Sequence, residues 1–259
     1  MNKFLRFLYN LKIPIFKRLI PSLIKRNIFL NKIQILDLDF IKIRVDLSQI
    51  IDREIYLSGS YEKEQILFLQ TLLKKNNVSN FFDVGSNIGY YSLYFKDIPN
   101  IFAFEPNSKN FESLKFNKKL NNQKNIRLFD FGLSDSNSEC EIWYTDKNKM
   151  GGSSIFHEKD PELKKYSDKK IIKEKIKVKK LDDVVDIKNS NNLIKIDVER
   201  HELKVLKGMS QLIKNNNCIL QIEIGKSNRK EVFDYLNSLD FVFIKSIGHD
   251  HYFVKSKNS

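Results

Sequence analysis

The sequence predicts an α/β fold: a mostly parallel sheet with helices on both faces, preceded by an N-terminal helical and strand extension. Three observations carry this. From residue 61 onward short apolar runs and helical patterns take turns, the order that a parallel sheet covered on both faces requires. The chain has 259 residues with 41% hydrophobic and 12% aromatic content, enough to bury one large core. Its last two apolar runs flank Gly248, as an antiparallel hairpin closing the sheet would.

Residues 1–30 interleave Phe4, Leu5, Leu8, Leu11, Ile15 and Leu19 with Lys3, Arg6, Lys12, Lys17 and Arg18, a basic amphipathic pattern. No apolar run there approaches the ~20 residues that span a bilayer, and no small-residue cleavage site follows, so neither a transmembrane helix nor a signal peptide is expected. Such a face has two destinations: packing on the domain behind it, or peripheral contact with an anionic membrane. Residues 33–38 and 40–45 alternate as two short strands. Residues 1–60 therefore read as an extension and residues 61–259 as the main domain.

In that domain Ile66, Leu69 and Leu73 mark a first helix. Central strands are expected at residues 80–84, 101–105, 126–131, 193–198 and 218–224, with helices between them. Residues 139–181 break the order. A strand-like 140–144, a Lys/Asp/Ser-rich loop and then alternating Ile176, Val178 and Leu181 read as an insertion. Residues 241–244 and 252–254 form the closing hairpin, and no internal repeat is present.

The balance of 45 Lys+Arg against 32 Asp+Glu gives a formal charge of +13, which suits a nucleic acid, an acidic glycan or a membrane surface. A compositional bias competes with that reading. Lys, Asn, Ile and Phe abound while Ala103 is the only alanine, as an AT-rich coding sequence would give whatever the function. Cys140 and Cys218 are the only cysteines and have no CxxC spacing, so neither a zinc knuckle nor a disulfide framework is read. A cytoplasmic location is expected, with contact at the inner face of the membrane as the variant that residues 1–30 allow.

The sharpest local signal runs from Asn80 through Phe82, Asp83, Val84, Gly85, Ser86, Asn87, Ile88 and Gly89 to Tyr91: a strand, a small-residue turn and the start of a helix. Gly85 and Gly89 remove side chains where the chain bends and where a ligand must reach main-chain atoms. A dinucleotide fingerprint would need glycines where Asn87 and Tyr90 stand. Asp83 would repel a pyrophosphate but suits an ammonium or sulfonium ligand. The next strand ends in Phe104, Glu105 and Pro106, and an acid there can accept both hydroxyls of a ribose. Together the two signals point to S-adenosyl-L-methionine.

The strings Phe82-Asp83-Val84-Gly85-Ser86-Asn87-Ile88-Gly89-Tyr90-Tyr91, Phe102-Ala103-Phe104-Glu105-Pro106 and Lys195-Ile196-Asp197-Val198-Glu199-Arg200-His201-Glu202 resemble the FkbM family of methyltransferases, over about residues 80–253. The resemblance implies a class I, Rossmann-like methyltransferase fold with a seven-stranded sheet. It also implies S-adenosyl-L-methionine as methyl donor and an oxygen of a sugar or secondary metabolite as acceptor. By motif position Asp83, Gly85, Ser86, Asn87 and Gly89 would hold the methionine end, Glu105 the ribose, and Asp130 the adenine amine. One position departs from the family: Arg200 stands where a glycine is usual between the residues matching Glu199 and His201.

The fourth central strand delivers Lys195, Asp197 and Glu199, then His201 and Glu202 at a helix start. Alternation puts Lys195, Asp197 and Glu199 on one face if the strand persists, and Glu202 suits a helix cap. Methyl transfer to a hydroxyl needs an aligned acceptor and a destination for its proton. Asp197 and His201 both qualify as that base. Glu199 and Glu223 are expected to contact the acceptor, and Glu223 with Asp197 could instead hold a divalent ion, although no metal is predicted from two carboxylates. Residues 150–157 read either as a lid, with Ser153 and Ser154 reaching the acceptor, or as a disordered linker.

The acceptor class is thus a carbohydrate, a glycolipid precursor or a small metabolite. An RNA ribose methyltransferase is the charge-motivated alternative. Against other nucleic-acid methylation, no proline here is followed by Cys or by Pro-aromatic. A non-enzymatic, membrane-associated adaptor is the third reading, resting on residues 1–30.

Overall fold

The computed structural model describes residues 2–11, 13–25, 31–145 and 171–255. Its centre is a seven-stranded sheet in the order β5 (Ile126–Phe129), β4 (Asn100–Phe104), β3 (Asn80–Val84), β9 (Asn191–Ile196), β10 (Asn217–Glu223), β12 (Asp250–Lys255), β11 (Phe241–Ile247). The first five are mutually parallel, whereas β12 runs antiparallel to both β10 and β11. This is the class I, Rossmann-like methyltransferase arrangement expected from the sequence.

Period-two alternation divides the central strands between two cores. Phe81, Ile101, Ala103, Leu193 and Ile219 face one side with Ile66 and Leu69 of α4 (Lys63–Leu73), Tyr91 and Leu93 of α5 (Tyr90–Tyr94) and Leu114 of α6 (Ser108–Leu120). Their sequence neighbours Phe82, Phe102, Ile194 and Leu220 face the other side. There they meet Val205 and Leu206 of α7 (Glu202–Gly208), Leu212 and Ile213 of α8 (Ser210–Asn215), and Val232 and Leu236 of α9 (Arg229–Asn237).

The extension is continuous with the first of these cores. Tyr9 of α1 (Asn2–Asn10), Ile20 and Ile24 of α2 (Pro14–Lys25), and Ile43 and Val45 of β2 (Lys42–Asp46) are buried in the same cluster as Phe81 and Ile101. β2 pairs antiparallel with β1 (Ile33–Asp37), and these are the two short strands that the alternation predicted. Helix α3 (Ile50–Ser58) was not legible in the sequence. It carries buried Asp52 and Arg53, which bond to the preceding strand and turn: Asp52 accepts from the Asp46 amide at 2.6 Å, and the Arg53 guanidinium donates to Leu47 O at 2.9 Å and Ser48 O at 2.7 Å.

The insertion builds its own small sheet in the order β6 (Gly132–Leu133), β8 (Ile171–Lys179), β7 (Ser138–Thr145). Ile142, Ile176 and Val178 form its apolar face. Leu181, expected on the same alternation, instead opens a 3-10 turn, Leu181–Asp183, and is buried under the second core. The expected lid, with Ser153 and Ser154, lies outside the described residues.

Candidate active site

The carboxyl ends of β3, β4 and β9 meet at an open crevice. Its floor is the turn after β3. Gly85 adopts φ 81°, and a Cβ there would stand 1.9 Å from Asp197 O, so no larger residue fits between the two strand ends. The Gly85 and Ser86 amides both donate to Phe104 O at 3.0 Å, and Ser86 Oγ reaches the same carbonyl at 3.2 Å. Asn87 follows in the left-handed region at φ 50°, which Asn tolerates better than most residues. Gly89 then caps α5, its missing side chain making room for Leu114.

Glu105 closes the far side of the turn. Its two oxygens accept from the Asn87 amide at 2.8 Å and the Asn107 amide at 2.9 Å, leaving further lone pairs toward the crevice it lines. Burial pushes its carboxyl up to about 7, against the two amide bonds that favour the anion. Asp83 lies beneath the turn. It is buried and accepts from the Ser92 amide at 3.0 Å and Ser92 Oγ at 2.5 Å, pinning the first turn of α5.

Across Gly85, β9 ends at Ile196, short of the expected residue 198. Asp197 still donates its amide to Val84 O at 3.0 Å, but Glu199 and Arg200 turn into the left-handed region at φ 49° and 71°. The expected extended alternation therefore stops at Asp197. Asp197, Glu199 and His201 all line the crevice, and His201 Nε2 lies 2.9 Å from Ser134 Oγ. Glu202 accepts from the Arg200 amide at 2.7 Å and is also bonded by Asn228, so it holds the turn that feeds α7.

Behind Asp197 lies a buried charge network. Lys195 Nζ sits 2.8 Å from Asp197 Oδ2 and 4.8 Å from the Tyr91 ring centroid. Burial disfavours its charge, but Asp197, Glu62, Asp83 and Asp250 together hold its pKa well above the usual lysine value. Burial alone would raise Asp197; Lys195 outweighs that and keeps it below the ordinary carboxylate range. Glu223, hydrogen-bonded to Asp197, is displaced upward by burial and by that neighbouring carboxylate. The network continues through Tyr91, which donates to Glu62 at 2.6 Å, and through Gln221, which donates to Asp250 at 2.9 Å.

The structure brings Gly85, Asn87, Glu105, Asp197, Glu199 and His201 to one crevice, with Glu223 joined through Asp197. Ser86 turns its hydroxyl into the fold, and Asp130 is exposed just beyond β5, two residues before Gly132 of the lining. Several lining residues were not anticipated. Ile51 of α3, Asn110 of α6, and Ile142, Ile176 and Val178 of the small sheet wall the Glu105 side with mostly apolar surface. Glu62 carried no sequence signal beyond a charge at a helix start. Among the described residues no group of three or more His, Cys, Asp or Glu is arranged to hold a metal ion.

A sulfonium nucleoside fits this donor set: the cradle at Gly85, spare acceptor capacity on Glu105, apolar walls for a base, and an excess of carboxylates for a cation. The comparisons agree in kind. The family model described as the methyltransferase FkbM domain matches residues 83–243. Hexuronic acid methyltransferase AglP of Haloferax volcanii is 33% identical over 144 residues, 55% of this chain and 55% of that protein. Methyltransferase sdnD of Sordaria araneosa is 31% identical over 155 residues, 50% of this chain and 60% of that one. The chain therefore spans little more than half the length of these curated relatives. Among solved structures, a methyltransferase FkbM from Methylobacillus flagellatus shares the fold at a TM-score of 0.50 and 16% identity, covering 78% of this chain and 52% of that one.

Proposed function

This chain belongs to the FkbM family of S-adenosyl-L-methionine-dependent methyltransferases, and on that premise we propose that it methylates a hydroxyl of a saccharide or small metabolite. When bound, S-adenosyl-L-methionine supplies an electrophilic methyl carbon on a sulfonium sulfur. Glu105 is the acceptor for the ribose hydroxyls, and the Gly85–Gly89 turn carries the amino-acid end. The observation that carries the reading is the meeting of Glu105 and Asp197 on either side of Gly85, in a crevice rimmed by carboxylates.

Asp197 orients the acceptor hydroxyl, with Lys195 holding it ionised and Glu223 hydrogen-bonded beside it. Either Asp197 or His201 takes the hydroxyl proton. Turnover at saturating cofactor separates them: the base is the residue, in His201→Asn or Asp197→Asn, whose loss removes the larger part of kcat. Asp197→Asn is expected to depress turnover while leaving cofactor affinity largely unchanged. The acceptor named for AglP, a hexuronic acid, ranks uronic acids first for trial, and a formal charge of +13 favours the approach of an anionic saccharide.

Calorimetric titration with S-adenosyl-L-methionine tests the premise. Binding by the full chain is expected, with a loss of about tenfold to a hundredfold in Glu105→Gln, because charge-assisted hydrogen bonds to the ribose are weakened. No heat and no thermal shift with the wild-type chain would refute the reading.

A further inference from the structure

The N-terminal helices use two faces. Tyr9, Ile20 and Ile24 are buried in the core beneath them, yet the opposite side carries Phe4 at 61% exposure, Phe7 at 60%, Leu11 at 44%, Ile13 at 42%, Ile15 at 64% and Leu19 at 49%. Packing on the domain accounts for the first face and leaves the second without a partner among the described residues. The spacing is that of ridges: Phe4, Phe7 and Leu11 follow at three and four residues along α1, and Ile15 and Leu19 at four along α2. Arg18 is exposed beside them, while the Lys17 ammonium lies 3.8 Å from the ring centroid of Tyr9 on the inner side.

Charge selects the occupant. No acidic residue occurs before Asp37, while Lys and Arg recur from Lys3 to Lys32. A second copy of the chain would bring two basic faces together, and like charges at such an interface repel. An anionic bilayer offers the complementary partner, with apolar depth for the phenylalanines and headgroup charge for the lysines and arginines. No helix among the described residues is long and apolar enough to cross a membrane, so the contact lies in the interface plane. We propose that the outer face of α1 and α2 docks on an anionic lipid surface.

Vesicle flotation with the full chain tests this, using phosphatidylglycerol mixed with phosphatidylcholine, and phosphatidylcholine alone. Binding to the anionic vesicles is expected to exceed that to the zwitterionic ones by at least about tenfold, and to weaken in high salt. The double variant Phe7→Ser/Ile15→Ser is expected to lose about tenfold or more of that binding. Arg18→Glu should also weaken it. Unchanged thermal transitions in both variants separate lost docking from lost folding. Equal binding to both lipids, no binding to either, or variants that float like wild type would overturn the proposal. So would a wild-type dimer that ignores vesicles and becomes monomeric in the serine variant, which would assign the face to a second copy. Titration with S-adenosyl-L-methionine on the same preparations keeps this result independent of the catalytic reading.

Discussion

Arg200 sits at φ 71° immediately after Glu199 at φ 49°, a conformation that costs a side-chain-bearing residue about 1 kcal/mol relative to glycine. The departure from the family glycine, visible in the sequence, is therefore a backbone matter first. Arg200→Gly is expected to raise stability by up to about 1 kcal/mol, or about 2–4 °C in Tm by calorimetry. Gly85 has no such latitude. Gly85→Ala would drive a Cβ into Asp197 O and should cost well over 3 kcal/mol or prevent folding, whereas Gly89→Ala meets only the flexible end of Leu114 and should cost less. Chemical denaturation of the two variants orders them. Glu105 adds a pH dependence. Its folded pKa of about 7 exceeds the ordinary glutamate value, so its contribution to stability is present at low pH and is lost as pH rises from about 4.5 to about 7. Ribose hydroxyls donate to the anion, so cofactor affinity should increase from pH 6 to pH 8 by calorimetric titration, and Glu105→Gln should flatten that slope.

At the scale of elements, the ends of β3, β9 and β10 are joined by ionised and hydrogen-bonded side chains as much as by their ladders. Lys195 is the centre, buried among Asp197, Glu62, Asp83 and Asp250. Lys195→Met should destabilise by about 3–5 kcal/mol at neutral pH, since it leaves carboxylates buried without their cation. Those carboxylates would then take up protons in the folded state, so the deficit measured by urea denaturation should grow as pH rises and shrink as it falls. The strand positions were legible because buried parallel strands read as continuous apolar runs, as in β3 and β10. Helix α3 was not, because its buried Asp52 and Arg53 look like surface residues until their partners in residues 46–48 are known.

At the scale of the whole molecule, α1, α2 and β2 are continuous with the main domain, because they bury side chains in the core that β3 and β4 also use. Ile20→Ala should therefore lower the main unfolding transition by about 2–4 kcal/mol; a main transition that stays in place would show an independent appendage instead. What the sequence determined by itself was the alternation of strand and helix, the glycine turn after Phe82 and the acid ending the next strand. Each of these is local, fixed by period, by backbone freedom or by position at a strand end. The tertiary structure alone decided that Asp83 serves α5 while Glu105 faces the crevice, that Lys195 is the cation for carboxylates from four separate segments, and that Ile51 and the small sheet wall the site. Those outcomes depend on contacts between residues far apart in the chain, and a one-dimensional pattern carries no record of which distant charge or methyl group a side chain will meet.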